Sequence, residues 1–279
     1  VRSEYYIKAG LVILGSSILF GEIMRAGSLG MIQAVIVVLS VWYFSFWVSR
    51  KMGVDSEMSM MLSSSVSICG VSAAIATCGA IKGDPKKLSF IVSLVLIVAI
   101  PMMYILPFFA KWMGLSEQVA GAWLGGTIDT TAAVVASGKF IGETAEQYSV
   151  IIKSAQNVLL GVAAFAISIY WSYKGTNSNI RPSGSVLWER FPKFVLGFLV
   201  ASLIFSFAFE PATGKSLSKI AQESRGLLFS LAFVCIGLET SFRDIFKKEN
   251  SKYIWSFLIA QGFNIVLTLV VAWFLFRSF

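Results

Sequence analysis

Two charged residues lie inside apolar stretches of the sequence, where an ionised side chain needs a physical reason. Asp129 lies well inside a stretch from about Val119 to Ser137, roughly 13 to 14 Å along a helix. Lys153 lies at a similar depth in the next stretch, counted from a turn near Glu143. Ionisable groups at mid-membrane are costly and are usually paired or line a water-filled cavity. We therefore expect the two charges at one level, as a structural ion pair or as part of an ion- or substrate-binding site.

Polar side chains flank both charges. The hydroxyls of Thr127 and Thr130 stand beside Asp129, and the amides of Gln156 and Asn157 follow Lys153. Such groups can replace the hydration shell of a bound ion, or they can form hydrogen bonds between helices, and both interpretations stay open. A carboxylate beside hydroxyls makes the region of Asp129 and Thr130 a candidate position for a coupling Na⁺ or H⁺. No other metal or cofactor is expected.

A third group of candidates lies in a stretch rich in serine and glycine, Ser56 to Gly83. It is apolar enough to enter a membrane, yet its small and hydroxyl-bearing residues can satisfy backbone groups where a helix breaks. Half-helix N-termini at mid-membrane stabilise anions, and freed carbonyl groups stabilise cations. The stretch predicts a transmembrane helix with a break. The residues that flank this break are Ser67, Cys69, Gly70 and Ser72.

The corresponding break late in the chain is expected in a segment from about Arg225 to Thr240. Gly237 and Glu239 mark its position. Glu239 also fits an ordinary carboxylate at headgroup level, because it lies near the end of the segment.

Composition decides which elements position these residues. The chain is 56% hydrophobic and 14% charged, whereas soluble domains are about 45 to 50% apolar and about 25% charged. Apolar runs recur at the length of roughly 20 residues that crosses a bilayer. These features predict an all-α polytopic membrane protein of the cell inner (plasma) membrane.

Charge and cysteine content exclude other classes. The net charge of +8 comes from Lys and Arg in short connections, as membrane topology requires, so no nucleic-acid partner is expected. The chain has no histidine, which argues against a zinc site and against hydrolytic chemistry, and we do not expect an enzyme. Cys69, Cys78 and Cys235 are expected to be small packing residues.

Nine apolar segments are predicted, with the serine-rich stretch as the third and the segment around Gly237 as the eighth. Corresponding helices an odd number of segments apart belong to repeats of opposite orientation. The pattern predicts an inverted-repeat transporter fold with two broken, crossing helices. Its first repeat would be residues 1–114 and its second 115–279, and five-helix repeats would require at least one helix before Val1.

Three motifs resemble the YeiH-type sulfate exporter family. They are Ser67-Ile-Cys-Gly-Val-Ser-Ala73, Gly125-Gly-Thr-Ile-Asp-Thr-Thr-Ala-Ala-Val-Val-Ala-Ser-Gly138 and Ala232-Phe-Val-Cys-Ile-Gly-Leu238. The resemblance implies a relative of the sodium/proton antiporter and bile-acid symporter superfamily, with two inverted repeats. Where the family carries His-Asp, this chain has Asp129-Thr130, and Ala133 replaces a Gln. Sulfate is therefore not carried over as the substrate.

These observations favour a secondary transporter of a small anion, sulfate- or sulfonate-like or a carboxylate, that works by alternating access with Na⁺ or H⁺ coupling. Two alternatives stay open: a cation/proton antiporter without an organic substrate, and a membrane subunit of an ion-pumping complex. The expected partners are the anionic substrate, the lipid bilayer and further copies of the chain in a homo-oligomer.

Overall fold

The computed structural model describes residues 3–14, 16, 20–81, 83–174 and 250–278, with scattered positions between 197 and 234. In this part of the chain the regular structure is helical. The helices are α1 (Ser3–Leu14), α2 (Phe20–Lys51), α3 (Ser56–Ser64), α4 (Val71–Ile81), α5 (Pro85–Trp112), α6 (Glu117–Thr127), α7 (Thr131–Ile141), α8 (Glu143–Lys174) and α9 (Ser251–Phe276). A π-helix, Ser65–Cys69, continues α3.

Contacts divide the chain into two compact units. One combines Val1–Leu29 with Pro192–Thr240, and the other combines Gly30–Phe191 with Ser241–Phe279. Helices α3 to α9 belong to the second unit.

Three of the described helices are long and apolar enough to cross a membrane. They are Gly27–Lys51 in α2, Lys86–Trp112 in α5, and Ser251–Phe276, which is the whole of α9. The predicted all-helical membrane architecture is thus confirmed for the described residues.

The serine-rich stretch does not cross the membrane as one helix, because its two ends lie together. A straight helix over Ser56–Ile81 would be about 39 Å long. Instead, Glu57 at the start of α3 accepts a hydrogen bond from the backbone N–H of Asp84, just after α4. A Cβ on Gly83 would lie 2.8 Å from the same Glu57 oxygen. The chain therefore reverses, and we call Ser56–Ile81 hairpin 1, with its mouth at Glu57 and its tip at Gly70.

The predicted break lies at this tip. Gly70 has φ 62° and ψ −110°, a conformation that residues with a Cβ rarely adopt. The expectation of a break between Ser67 and Ser72 agrees with this turn. The expectation that the chain then continues across the membrane is wrong.

The stretch around Asp129 also reverses. Helix α6 ends at Thr127, residues 128–130 are extended or bent, and α7 begins at Thr131. Glu117 at the start of α6 accepts a hydrogen bond from the backbone N–H of Ala145 at 3.3 Å. A Cβ on Gly142, just after α7, would lie 2.5 Å from Glu117 Oε2. We call Glu117–Ile141 hairpin 2, with its mouth at Glu117 and its tip at residues 127–130.

Hairpin 2 packs directly against the backbone of α8, because glycines of α6 place no side chain between the two helices. A Cβ on Gly121 would lie 2.5 Å from the Ala145 carbonyl oxygen, and a Cβ on Gly125 would clash with the Ser149 carbonyl oxygen. The pairs 121/145 and 125/149 advance together, so α6 and α8 run parallel. Ser149 Oγ also contacts the Val134 carbonyl, within α7. Gly121 and Gly125 thus form a small-xxx-small packing surface against α8.

The two hairpins enter from opposite ends of α5. Helix α5 begins beside the mouth of hairpin 1 and ends at Trp112, shortly before hairpin 2 begins at Glu117. Their tips meet, because a Cβ on Gly70 would lie 3.0 Å from Asp129 Cβ and 3.2 Å from the Asp129 carbonyl oxygen. Each second arm has 11 residues, about 16 Å of helix, roughly half of a 30 Å hydrocarbon core. In a bilayer that α5 spans, this length carries the tips about halfway across.

Helix α9 passes both tips. Lys252 near its start donates to the Gly53 carbonyl at 3.3 Å, close to the mouth of hairpin 1. Phe276 at its end stacks edge-on against Tyr148 of α8, with ring centroids 5.9 Å apart. The middle of α9 consequently lies at the level of the tips.

The mouth of hairpin 1 is held by a small ion cluster. Lys87 Nζ lies 2.8 Å from Asp55 Oδ1 and 2.8 Å from Glu57 Oε2. Partial burial raises the pKa of Asp55, but hydrogen bonds from the Lys87 ammonium and the Met58 amide outweigh this and hold that pKa below its usual range. This contribution to stability is present above the carboxyl's unfolded pKa and is lost as pH falls through the lowered value.

The reversal of hairpin 2 predicts where its two ends are accessible. In a chain without Cys69, Cys78 and Cys235, Ser116→Cys and Glu143→Cys should react with a membrane-impermeant maleimide from the same side of the membrane. Asp84→Cys, at the other end of α5, should react from the opposite side. Labelling of positions 116 and 143 from opposite sides would show that this stretch crosses.

The close contact between hairpin 2 and α8 should not tolerate a larger side chain. Gly125→Ala places a methyl group against backbone, so we expect a loss of about 1 to 3 kcal/mol, read as a lower midpoint of thermal unfolding in detergent. The matched control is Gly262→Ala in α9, where a Cβ meets nothing within 4 Å. Equal midpoints for the two variants would contradict the close packing.

Candidate functional site

The candidate site is formed where the tips of hairpins 1 and 2 meet α8 and α9. The first arm of each hairpin ends here, and the last carbonyl groups of a helix have no partner within that helix. In a membrane interior such groups must find other donors. The donors in this structure are side chains.

At hairpin 1 the carbonyl end receives a charged donor. Lys153 Nζ of α8 donates to the Ile68 carbonyl at 2.8 Å. Asn264 Nδ2 of α9 donates to the Val66 carbonyl at 3.1 Å. The negative end of this arm thus faces an ammonium group, which is the favourable sign for a helix C-terminus.

At hairpin 2 the corresponding donors are neutral amides. Gln156 Nε2 donates to the Gly126 carbonyl at 3.0 Å. Gln261 Nε2 and Asn264 Nδ2 both donate to the Thr127 carbonyl, at 3.0 and 3.3 Å. Asn264 therefore bridges the two hairpins, because it donates to a carbonyl of each.

Lys153 and Asp129 are both buried at this level, at 1% exposure each. The ammonium donates to the Ile68 carbonyl and to Gln156 Oε1, the latter at 3.0 Å, rather than to the Asp129 carboxylate. The carboxylate lies beside the amide of Gln261. The charges expected at one level are thus both in the site, but each has its own neutral partner.

Several buried oxygens at the site have no hydrogen-bond partner among the described residues. They are Thr127 Oγ1, Asp129 Oδ2, Asn157 Oδ1 and Gln261 Oε1. Buried polar atoms in native proteins nearly always have a partner, so such a group of acceptors needs an explanation.

The remaining predicted residues play different parts. Thr130 caps α7 by accepting from the Ala133 backbone N–H at 3.4 Å. Ser67 Oγ bonds weakly to the Ser64 carbonyl at 3.5 Å, and Cys69 is buried beside Ser72 at the tip. The hydroxyls of Ser67 and Ser72 thus serve hairpin 1 itself, and that hairpin offers the site its backbone.

Two predicted site residues cannot be placed, and other residues join the site without having been predicted. Gly237 and Glu239 lie outside the described residues. Gln261 and Asn264 belong to the site but were not among the predicted site residues; two amides one helical turn apart in an otherwise apolar span are the sequence signal for them. Gln33 was not predicted either, and it donates from α2 to the Ala122 carbonyl at 2.8 Å.

The groups that the tips offer to a ligand are oxygen atoms. Within the described residues there is no cluster of three His, Cys, Asp or Glu side chains that could hold a metal ion. The acceptors at the tips are instead a carboxylate, a hydroxyl and amide oxygens, which suit a hard cation.

Comparison with known proteins identifies relatives over nearly the whole chain. The family described as "Conserved hypothetical protein 698" matches residues 1–271. A "UPF0324 membrane protein" of Nitratidesulfovibrio vulgaris is 40% identical over 99% of this chain and 50% of its own length. A UPF0324 membrane protein of Rhodopirellula baltica is 38% identical over 99% and 53%.

More distantly, the "UPF0324 inner membrane protein YeiH" of Escherichia coli is 27% identical over 96% of this chain and 78% of its own. The chain spans about half the length of the first curated relatives it matches. No solved structure matches it.

The contacts of Lys153 predict a large effect of its removal. Lys153→Met takes the ammonium from the Ile68 carbonyl and from Gln156, and leaves Asp129 without a compensating charge. We expect a loss of about 3 to 5 kcal/mol in unfolding free energy, measured by denaturant or thermal unfolding in detergent. Asp129→Asn in the same chain should restore part of it.

The matched control is Lys139→Met, an exposed lysine on α7, which should change stability by less than about 0.5 kcal/mol. Equal losses in the two lysine variants would show that the ammonium of Lys153 is not a structural donor.

Proposed function

Because the chain belongs to the UPF0324 family of membrane proteins, described as "Conserved hypothetical protein 698", we propose that it acts as a secondary transporter of a small anion. The resemblance to the YeiH-type family is confirmed. The family name states a membrane location and no substrate, so the proposal rests on the geometry of the site.

The observation that carries the proposal is the meeting of two hairpin tips around buried charges. Non-helical backbone at membrane depth is tolerated where protein buries it or where it lines a cavity, and many transporters place their substrate and ions at such breaks. A structural scaffold has no need of two turns at mid-membrane. Two turns that approach from opposite sides provide a gate toward each compartment, which alternating access requires.

The two hairpins support an inverted repeat. Each is followed by a long helix, α5 after hairpin 1 and α8 after hairpin 2. A glutamate in the first turn of each hairpin closes its mouth. Glu57 and Glu117 each accept a hydrogen bond from a backbone N–H near the start of the long helix, α5 or α8, that follows the hairpin. We propose that 1–114 and 115–279 are the two repeats. The described core of the first is hairpin 1 with α5, and that of the second is hairpin 2 with α8. Opposed hairpins that meet at their tips replace the crossing helices of the original expectation.

The substrate class follows from the groups that face the tips. The N-termini of α4 and α7 both lie at the meeting point, and partial positive charge there favours an anion. The ammonium of Lys153 adds a full positive charge. We propose a small anion of the sulfate, sulfonate or carboxylate type, bound between the tips and coupled to Na⁺ or H⁺ through Asp129.

A cation/proton antiporter without an organic substrate is the second candidate. The specific observation that favours it is the unpartnered carboxylate oxygen of Asp129, which could carry an ion by itself. Dissipation of a pH gradient on addition of Na⁺ or K⁺, with no anion present, would distinguish it from the first.

The membrane location that we propose for the protein is taken from its relatives. The YeiH relative is named as an inner membrane protein, and we propose the same membrane here, crossed several times. A homo-oligomer remains part of the proposal.

Transport by purified protein in proteoliposomes tests the proposal. Uptake of labelled sulfate, a sulfonate or a dicarboxylate should be driven by a Na⁺ or pH gradient and should fall at least about tenfold in Asp129→Asn. The matched control is Ser137→Ala, whose hydroxyl bonds within α7 to the Val134 carbonyl at 2.9 Å, and it should transport at the wild-type rate. Gradient-driven uptake that is undiminished in Asp129→Asn would remove this residue from coupling.

A further inference from the structure

We propose that the tip of hairpin 2 and α9 form a Na⁺ site whose side-chain ligands are Thr127 Oγ1, Asp129 Oδ2 and Gln261 Oε1. The site itself is inferred from the structure, and its coupling to an anion rests on the proposed function.

These three oxygens are buried acceptors without donors. All three residues are buried, at 1 to 2% exposure, and none of the three atoms has a hydrogen-bond partner among the described residues. Gln261 contacts both other residues, because it donates to the Thr127 carbonyl and lies beside the Asp129 carboxylate. A carboxylate, a hydroxyl and an amide oxygen are ligands that a hard cation accepts.

Two neighbouring amides of the site have partners for their oxygens, whereas Asn157 Oδ1 and Gln33 Oε1 do not. Asn264 Oδ1 accepts from Thr268 at 2.8 Å, and Gln156 Oε1 accepts from Lys153. The amide nitrogen of Gln261 is also engaged, with the Thr127 carbonyl and with Met102 Sδ at 3.4 Å. Its orientation is thereby fixed, and its oxygen is left as an acceptor without a donor.

The carbonyl ends of the two first arms differ in the charge that faces them. The first arm of hairpin 1 ends on the ammonium of Lys153. The first arm of hairpin 2 ends on neutral amides, and its negative dipole end lies beside the acidic Asp129. A helix C-terminus next to a carboxylate attracts a cation. In hairpin 1 a side chain supplies that cation, and in hairpin 2 a Na⁺ would.

Charge favours a monovalent cation such as Na⁺ over a divalent one. With Asp129 ionised and Lys153 protonated the site is neutral, a divalent ion would leave +2, and a monovalent ion leaves +1. Burying unpaired charge is expensive, so the smaller excess is favoured. A proton would satisfy one oxygen of Asp129 and leave the acceptors of Thr127 and Gln261 unused, whereas Na⁺ uses all three.

The same count predicts coupling. A monovalent anion alone would bring the site to −1, Na⁺ alone to +1, and the two together to zero. Each should therefore raise the affinity of the other, by the same factor. The favoured cargo is one anionic charge for each Na⁺.

The experiment is a titration of the purified chain in detergent with NaCl, with choline chloride holding the ionic strength constant. Thermal midpoint and intrinsic tryptophan fluorescence are read, since the indole of Trp123, one of the tryptophans, bonds to the Ile265 carbonyl of α9 at 2.9 Å. Na⁺ should raise the midpoint in a saturable way that K⁺ at equal concentration does not match. Thr127→Val should weaken apparent Na⁺ affinity about tenfold or more, and Asp129→Asn should abolish saturation.

The control Ser137→Ala, a buried hydroxyl of the same hairpin with its own acceptor, should titrate as wild type. Thr127→Val conserves shape, so it also serves if Asp129→Asn fails to fold. Saturation that is equal in Na⁺ and K⁺, or unchanged in Thr127→Val, would overturn the site.

Transport assays separate this inference from the proposed function. Saturable Na⁺ binding without anion transport in proteoliposomes would refute the transporter and leave the site. Anion transport driven by a pH gradient, with no stabilisation by Na⁺, would refute the site and leave the transporter.

Discussion

A chain that reverses inside a membrane leaves the last carbonyl groups of its helical arm without partners, and much of this protein is arranged to supply donors to them. The carbonyls concerned end the first arms of both hairpins. On α8, Lys153 donates to a carbonyl of hairpin 1 and Gln156 to one of hairpin 2. On α9, Gln261 donates to hairpin 2 and Asn264 to hairpin 1. All four side chains are buried, so water does not compete for them. Without these donors neither turn would be stable at this depth.

The two hairpins meet that requirement with different charges. At hairpin 1 one donor is an ammonium group, and at hairpin 2 the donors are amides beside a carboxylate. Both tips present the carbonyl end of a helical arm to the site, but their electrostatics are opposite. A cationic group and an anionic group thus lie at one level without pairing directly, since each is held by neutral partners. This arrangement leaves both charges able to respond to a ligand.

Packing of backbone against backbone sets the positions of these groups. Gly121 and Gly125 let α6 lie on the carbonyls of α8, and Gly70 lets the tip of hairpin 1 lie on Asp129. Close-packed interiors transmit small changes in volume. The tip of hairpin 2 is thereby coupled to α8, which carries Lys153, and to α9, which carries Gln261. Movement of any of these elements would change the partners of a buried polar group.

The sequence by itself determined the membrane class, the helical architecture and the unusual character of Asp129 and Lys153, because transfer free energy depends on residue type. It also placed a break between Ser67 and Ser72, where the structure has the turn at Gly70. It could not decide that two stretches reverse. A run of about 25 apolar residues has the same hydropathy whether it crosses once or enters and returns as two half-length arms.

Only the tertiary structure decided which partner each polar group takes. Lys153 was expected beside Asp129, yet its nearest acceptor is the Ile68 carbonyl, 85 positions away in the chain. The Thr127 carbonyl is reached from α9, 134 and 137 positions away. A backbone carbonyl carries no signature in the sequence, because every residue has one. Which carbonyl lacks a partner depends on where the chain turns, and only the fold fixes that.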